Sequence, residues 1–254
     1  MQESNAPISI ADGEACRLAV LSSTLVPIFR GRFCDLLRSD RPAKTFEPDE
    51  ILYESGDDER CFFFLRSGVV KTGTIARDGR EIVYDLRKER DVVGELCALH
   101  KVRRDRAVAL TRVVAIVVPF DEVAEMLAKH VVVLREFIGI FCGALSEAYE
   151  RIDSLAFDSV VHRTANVLQS LVKKFGRPMG NFIELPIYLT QEELAQMVVA
   201  RRERVSTALN SLRRQEIIHY SPRGHLRLDV RKLNQYRLSD APIVLKSPQC
   251  YGGN

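Results

Sequence analysis

Six short β-prone runs, KTF, EILYE, CFFFLRSG, VVKTGTIA, REIVYDL and RVVAIVVPF, crowd the stretch from Ala43 to Phe120. Turn signals punctuate them: Glu54-Ser-Gly-Asp57, Ser67-Gly68, Asp78-Gly79 and Glu89-Arg-Asp91. Asp-Gly between two β-prone runs is the strongest short-range hairpin signal a sequence carries. Runs spaced this regularly predict an antiparallel sandwich or barrel rather than a parallel sheet, whose strands would alternate with helices. An irregular mixture of strands and helices is the alternative.

The period changes after Pro119. From Leu134, the positions Leu134, Ile138, Phe141, Leu145, Ala148, Ile152 and Leu155 recur at alternating spacings of four and three. That is a heptad seam, the pattern of a helix packed on a partner helix. Two readings follow: a core helix lying on its own β domain, or a parallel homodimer seam. The stripe continues on Ala156 and Val160, so the helix would overhang a small β domain, which favours the dimer. A break is expected near Asp158, then a second helix through Val161, Ala165, Leu168 and Leu171 that stops at Gly176-Arg-Pro178.

A third pattern begins near Phe182. Thr190-Gln-Glu-Glu193 is a capping box, in which the threonine caps the first amides and Glu193 reaches back to it. A short helix follows through Leu194, Met197 and Val198, then a second from Arg202 to about Gln215 with Val205, Ala208, Leu209 and Leu212 on one face. IIHYSPRGHLRLDV then reads as a hairpin. Two short helices with a tight joint, followed by a hairpin, make a winged helix-turn-helix.

The opposite face of the second helix carries Arg201, Arg202, Glu203, Ser206, Thr207 and Asn210. Arginine can pair with guanine O6 and N7, glutamate can accept from cytosine N4, and hydroxyls can meet either base edges or phosphates. The N-terminus of such a helix enters the groove first, so Arg202 and Glu203 are the expected base contacts. Arg213, Arg214, Arg223 and Arg227 are expected to meet phosphates, with Thr190 at the neighbouring helix start. The net charge of +3 names no partner; the local excess of arginine between Val199 and Arg214 does.

Composition trims the remaining classes. Six cysteines (Cys16, Cys34, Cys61, Cys97, Cys142 and Cys250) contain no CxxC pair, which argues against a disulfide framework and a local metal clip. Buried reduced thiols are expected instead. No GxSxG, HExxH, Walker A or GxGxxG motif occurs and the five histidines lie apart, so no enzyme is indicated. No apolar run is long enough to span a bilayer and no secretion signal opens the chain, so a cytoplasmic protein without membrane contact is expected.

At this point a resemblance becomes specific. LTQEELAQMVVARRERVSTALNSLRRQEII resembles the helix-turn-helix of the Crp/Fnr family of transcription regulators. CFFFLRSGVV, DGRE and VVGEL resemble its cyclic-nucleotide-binding-like β-roll, and ERIDSLAF the end of its dimerisation helix. The resemblance implies a homodimer reading a pseudo-palindromic double-stranded DNA operator, with RNA polymerase as partner. By position, Arg202 and Glu203 match the family's base-reading Arg-Glu pair, and Ser206 matches a serine of the oxygen-sensing branch. Thr207 replaces the arginine common at the next position, and Val199-Ala200 replaces a small or glycine-containing joint.

The implied effector is a cyclic nucleotide, held by Gly94, Glu95, Leu96, Cys97, Asp105, Arg106, Ala107 and Tyr149. Gly94 and Glu95 match the family's turn and ribose carboxylate. Without gaps, Asp105 falls where cAMP binders carry the phosphate arginine, and Arg106 takes the following hydroxyl position. An aspartate there repels a phosphodiester by up to ~4 kcal/mol at contact in an effective dielectric near 20. A one-residue insertion would bring Arg106 into register instead. The adenine-contacting hydroxyl pair falls on Ala148 and Tyr149, a poor match for cAMP. Other effectors of the family include haem, but the spacing of Cys97 and His100 departs from the carbon-monoxide sensors, and a thiol-based redox or gas sensor is a further alternative.

The expected architecture is α+β. Residues 1–42 form a helical or irregular segment, 43–128 an antiparallel β-roll, 129–157 a dimerisation helix, 158–238 a winged helix-turn-helix, and 239–254 a tail.

Overall fold

The computed structural model describes residues 41–98, 102–221 and 224–239. They fall into two compact units that divide between Tyr149 and Glu150.

In the first unit, eight strands build two four-stranded antiparallel sheets: β1 (Ala43–Phe46), β2 (Ile51–Tyr53), β3 (Cys61–Ser67), β4 (Val70–Ile75), β5 (Glu81–Arg87), β6 (Val92–Val93), β7 (Arg106–Ala109) and β8 (Val113–Pro119). One sheet runs β1-β8-β3-β6 and the other β2-β7-β4-β5. The run CFFFL explains why β3 is central. Cys61, Phe63 and Leu65 point into the cluster between the sheets, with Phe46, Tyr53, Val70 and Val93. Phe62 and Phe64 point the other way, against Val118, Val123, Leu127 and Val133. A strand buried on both faces needs a continuous apolar run, because alternate side chains face opposite sides. Asp78-Gly79 lies in the β4–β5 turn, where Gly79 has φ +82°.

Helix α1 (Phe120–Lys129) and the long helix α2 (Val131–Phe157) follow. The start of α2 is a core helix: Val133 is buried, and Leu134, Phe137 and Ile140 pack on the outer face of β3 and β8. Farther along, the seam positions Leu145, Ala148, Ile152 and Leu155 are exposed, as is Ile138, while Phe141 is half-buried. The core-helix reading of the seam therefore holds for the start of α2.

The second unit holds the end of α2, then α3 (Val160–Phe175), β9 (Arg177–Met179), β10 (Phe182–Glu184), α4 (Gln191–Val198), α5 (Arg202–Arg214), β11 (Ile218–Tyr220), β12 (Leu226–Leu228) and α6 (Val230–Ser239). The Ser159 hydroxyl caps α3 by accepting from the His162 amide, so the break at Asp158 has a local cause. Asn166 Nδ2 donates to Asp158 Oδ2 at 2.8 Å and to Ser154 Oγ at 3.1 Å. Arg237 of α6 donates to Asn166 Oδ1 at 2.6 Å, completing a polar chain across the α2–α3 bend. The wing is a four-stranded sheet ordered β11-β12-β10-β9. Strands β9 and β10 and helix α6 lie where sequence patterning indicated only a helix stop and the end of a hairpin.

Candidate DNA interface and effector site

The helix pair is positioned by its caps and its apolar faces. At the start of α4, Thr190 Oγ1 accepts from the Glu193 amide at 3.1 Å, and the Glu193 carboxylate accepts from the Thr190 amide at 2.7 Å. The Thr190 hydroxyl hydrogen goes to Glu193 Oε2 at 2.8 Å, so this residue holds the helix rather than offering a free donor. Leu194, Ala195, Met197 and Val198 of α4 are buried, as are Val205, Ala208, Leu209 and Leu212 of α5. The joint turns at Val199, whose φ and ψ of 56° and 54° are left-handed, a region β-branched residues rarely enter.

With that face buried, α5 turns Arg202, Glu203, Thr207, Asn210, Arg213 and Arg214 to solvent, with Arg201 at its N-cap and Ser206 half-buried. Among the described residues, none of these arginines, nor the exposed Arg204, forms an ion pair or side-chain hydrogen bond. Thr207 is internally committed: its hydroxyl donates to the Glu203 carbonyl at 2.9 Å. Arg227 corrects the sequence reading, because its Nε donates to Glu184 Oε2 at 2.8 Å across the wing sheet instead of standing free for phosphate. Pairing with Arg227, and with His225, holds the Glu184 carboxyl below its ordinary value. Arg223 lies outside the described residues.

In the β-roll, Gly94 is buried with φ +90°, and an added Cβ would meet the Cys61 carbonyl at 2.8 Å and Arg103 Nη1 at 2.9 Å. Conformation and space both demand glycine. The cation against this turn is Arg103, only 3% exposed. It donates to the Cys61 carbonyl at 2.7 Å and to the Gly94 carbonyl at 3.4 Å, and lies 3.9 Å over the Tyr53 ring. The Tyr53 hydroxyl donates to Asp105 Oδ2 at 2.7 Å. Asp105 is 5% exposed, and its Oδ1 has no hydrogen-bond partner among the described residues. Burial raises its carboxyl above the ordinary value, and the Glu95 charge adds to that. The Tyr53 hydroxyl is likewise raised, by burial and then by Asp105.

Arg106 points elsewhere. It begins β7 opposite Gly73, and its guanidinium approaches Glu54 at 3.3 Å and Glu81 at 3.8 Å. Asp105, in the bend before β7, is buried beside Tyr53, while the half-buried Arg106 turns to Glu54 and Glu81. Glu95, the ribose carboxylate by resemblance, is held by Arg87 at 3.1 Å. Burial alone would lower the Arg87 pKa, but Asp85, Glu95, Asp91 and Glu147 outweigh it and keep the guanidinium charged. Cys97 and Ala107 are buried, Leu96 is exposed, and Tyr149 is exposed on α2. The expected buried thiols hold at Cys61 and Cys97, and burial pushes Cys61 up to about 11. Cys142 corrects that expectation, being exposed. Cys16, Cys34, Cys250 and His100 lie outside the described residues.

Sequence reasoning missed Arg103, Tyr53 and Arg87. Arg103 sits in the charged run Arg103-Arg104-Asp105-Arg106, where nothing in the letters tells which member turns inward.

A β-roll of the cyclic-nucleotide-binding type, followed by a winged helix-turn-helix with an unpaired arginine face, defines a DNA-binding transcription regulator. The sequence model of the cyclic nucleotide-binding domain matches residues 43–130, and that of the Crp-like helix-turn-helix domain matches residues 162–236. The chain belongs to the Crp/Fnr family of transcription regulators. It is similar to the CRP-like cAMP-activated global transcriptional regulator of Mycobacterium tuberculosis, at 28% identity over 72% of this chain and 79% of that one. It is also similar to the global nitrogen regulator of a Nostoc species, at 26% identity over 69% and 80%. FixK2 from Bradyrhizobium japonicum shares the fold with a TM-score of 0.67 at 20% identity, over 77% of this chain and 96% of that one. The Mycobacterium and Nostoc relatives are both named as regulators. Among the described residues, no helix is long and apolar enough to cross a membrane.

Proposed function

We propose that this chain is a cytoplasmic homodimeric regulator that reads a pseudo-palindromic operator through α5 and does not respond to cAMP or cGMP. The observation that carries DNA reading is the outward face of α5, where Arg202 and Glu203 open the helix with no partner for the arginine among the described residues. Two helices of a dimer would reach successive major grooves, which gives an operator with two-fold symmetry. The bare stripe from Leu145 to Leu155 supplies an apolar surface for a second copy, since exposed patches of this kind mark interaction sites. RNA polymerase is the further partner that family membership favours.

The effector reading rests on Asp105. A phosphate entering beside Gly94 would meet a buried carboxylate, while Arg103 is already committed to two carbonyls and the Tyr53 ring. The relative described as cAMP-activated supports the opposite reading, a cyclic-nucleotide-responsive regulator. A haem or thiol sensor has less behind it, because Cys97 is buried and burial raises its thiol above the ordinary value. Selection of bound duplexes from a random pool by the full chain, repeated with cAMP and with cGMP, tests these readings together. An inverted repeat enriched equally with and without nucleotide is expected. Enrichment that requires cAMP would overturn the effector reading, and no enrichment under any condition would overturn the regulator reading.

A further inference from the structure

Thr207 lies between Glu203 and Asn210 on α5, four and three residues from each, so the three share one stripe of the outward face. A side chain in the middle of that stripe meets a base edge if its neighbours do. What it can offer depends on its hydroxyl, which has one hydrogen and two lone pairs. The hydrogen is spent on the Glu203 carbonyl at 2.9 Å, a bond within the helix that DNA need not break. With the hydroxyl turned back to the Glu203 carbonyl, the γ-methyl is the other group that this exposed residue can offer a base edge.

Only one base carries a methyl in the major groove, thymine at C5, and apolar side-chain atoms read it by contact. We propose that Thr207 is a specificity-determining residue that reads a thymine through methyl–methyl contact, where an arginine at this position would read guanine. The inference rests on the proposed DNA reading by α5. It differs from a hydroxyl-mediated contact, in which the free lone pairs would accept from adenine N6 or cytosine N4.

Two substitutions separate the groups. Thr207→Val keeps the shape and a methyl but has no hydroxyl; Thr207→Ser keeps the hydroxyl and has no methyl. The wild-type chain first selects duplexes from a random pool, and affinities are then measured by fluorescence anisotropy on the selected duplex. Thymines of the half-site are replaced one at a time by deoxyuridine, which removes only the C5-methyl. At one half-site position, the replacement is expected to weaken wild type and Thr207→Val about fourfold, the effect of one buried methyl. Thr207→Ser is expected to bind the two duplexes equally. Equal binding of thymine and deoxyuridine duplexes by the wild type at every position would overturn the proposal. So would a Thr207→Val chain that loses discrimination while Thr207→Ser retains it. If the wild type enriches no common sequence, reading by α5 fails first and this inference falls with it; enrichment with no methyl effect sinks Thr207 alone.

Discussion

Tyr53 donates its hydroxyl to Asp105 at 2.7 Å in the interior of the β-roll. The bond fixes the direction of a carboxylate where a phosphate-binding roll would carry a cation, and with Arg103 stacked on the same ring it closes the Gly94 turn from inside. Electrostatics at that turn is therefore internal to the fold.

Asp105 should make the stability of the roll depend on pH. Burial raises its carboxyl above the ordinary 3.8, with Glu95 adding to the shift. Between those two values the folded chain holds a proton that the unfolded chain has released, so stability falls as pH rises through the window. Asp105→Asn keeps an acceptor for Tyr53 and removes the charge. It is expected to be more stable than wild type near neutral pH, with the advantage shrinking towards pH 4. Urea unfolding across that range measures it; a difference independent of pH would contradict the account.

Val199 stores strain in the helix-turn-helix joint. A left-handed β-branched residue costs roughly 1–2 kcal/mol that glycine avoids. Val199→Gly is expected to raise the melting temperature of the winged unit by about 4–8 °C for ~1 kcal/mol gained. A lowered melting temperature would show that the half-buried valine contributes more packing than its backbone loses.

The bare stripe of α2 should be the dimer contact. Leu145→Asp with Ile152→Asp places charges on exposed positions of that stripe, so folding should survive while self-association fails. Sedimentation is expected to show a dimer for wild type and a monomer for the double variant. A variant that remains dimeric would move the interface elsewhere.

Arg213, in the last turn of α5, is exposed and unpaired among the described residues. Arg213→Ala is expected to weaken binding to all duplexes alike and to reduce the slope of log K against log salt by about two, one for each half-site. A loss confined to one sequence would make it a base contact.

Much of this was legible in the letters. CFFFL reads as a strand because the run is β-prone and bounded by turn signals, and Thr190 with Glu193 marks the helix start because a capping box is a local interaction. The roll interior was not legible. Which member of Arg103-Arg104-Asp105-Arg106 turns inward depends on strand register and on Tyr53, fifty-two positions away in the chain. Arg227 misled for the same reason: its partner Glu184 lies on another strand. Helix α6 was missed because its apolar content is low and its anchors, Tyr236 on His162 and Arg237 on Asn166, are tertiary.

Base reading by Arg202 is the claim on which the account turns, and anisotropy titrations of wild type and Arg202→Ala against the selected duplex and a scrambled one test it most directly. Wild type should prefer the selected duplex strongly. Arg202→Ala should lose about 1–3 kcal/mol of that preference for each half-site while binding the scrambled duplex nearly as before. An Arg202→Ala chain that keeps the full preference, or a wild type that binds both duplexes equally, would contradict it.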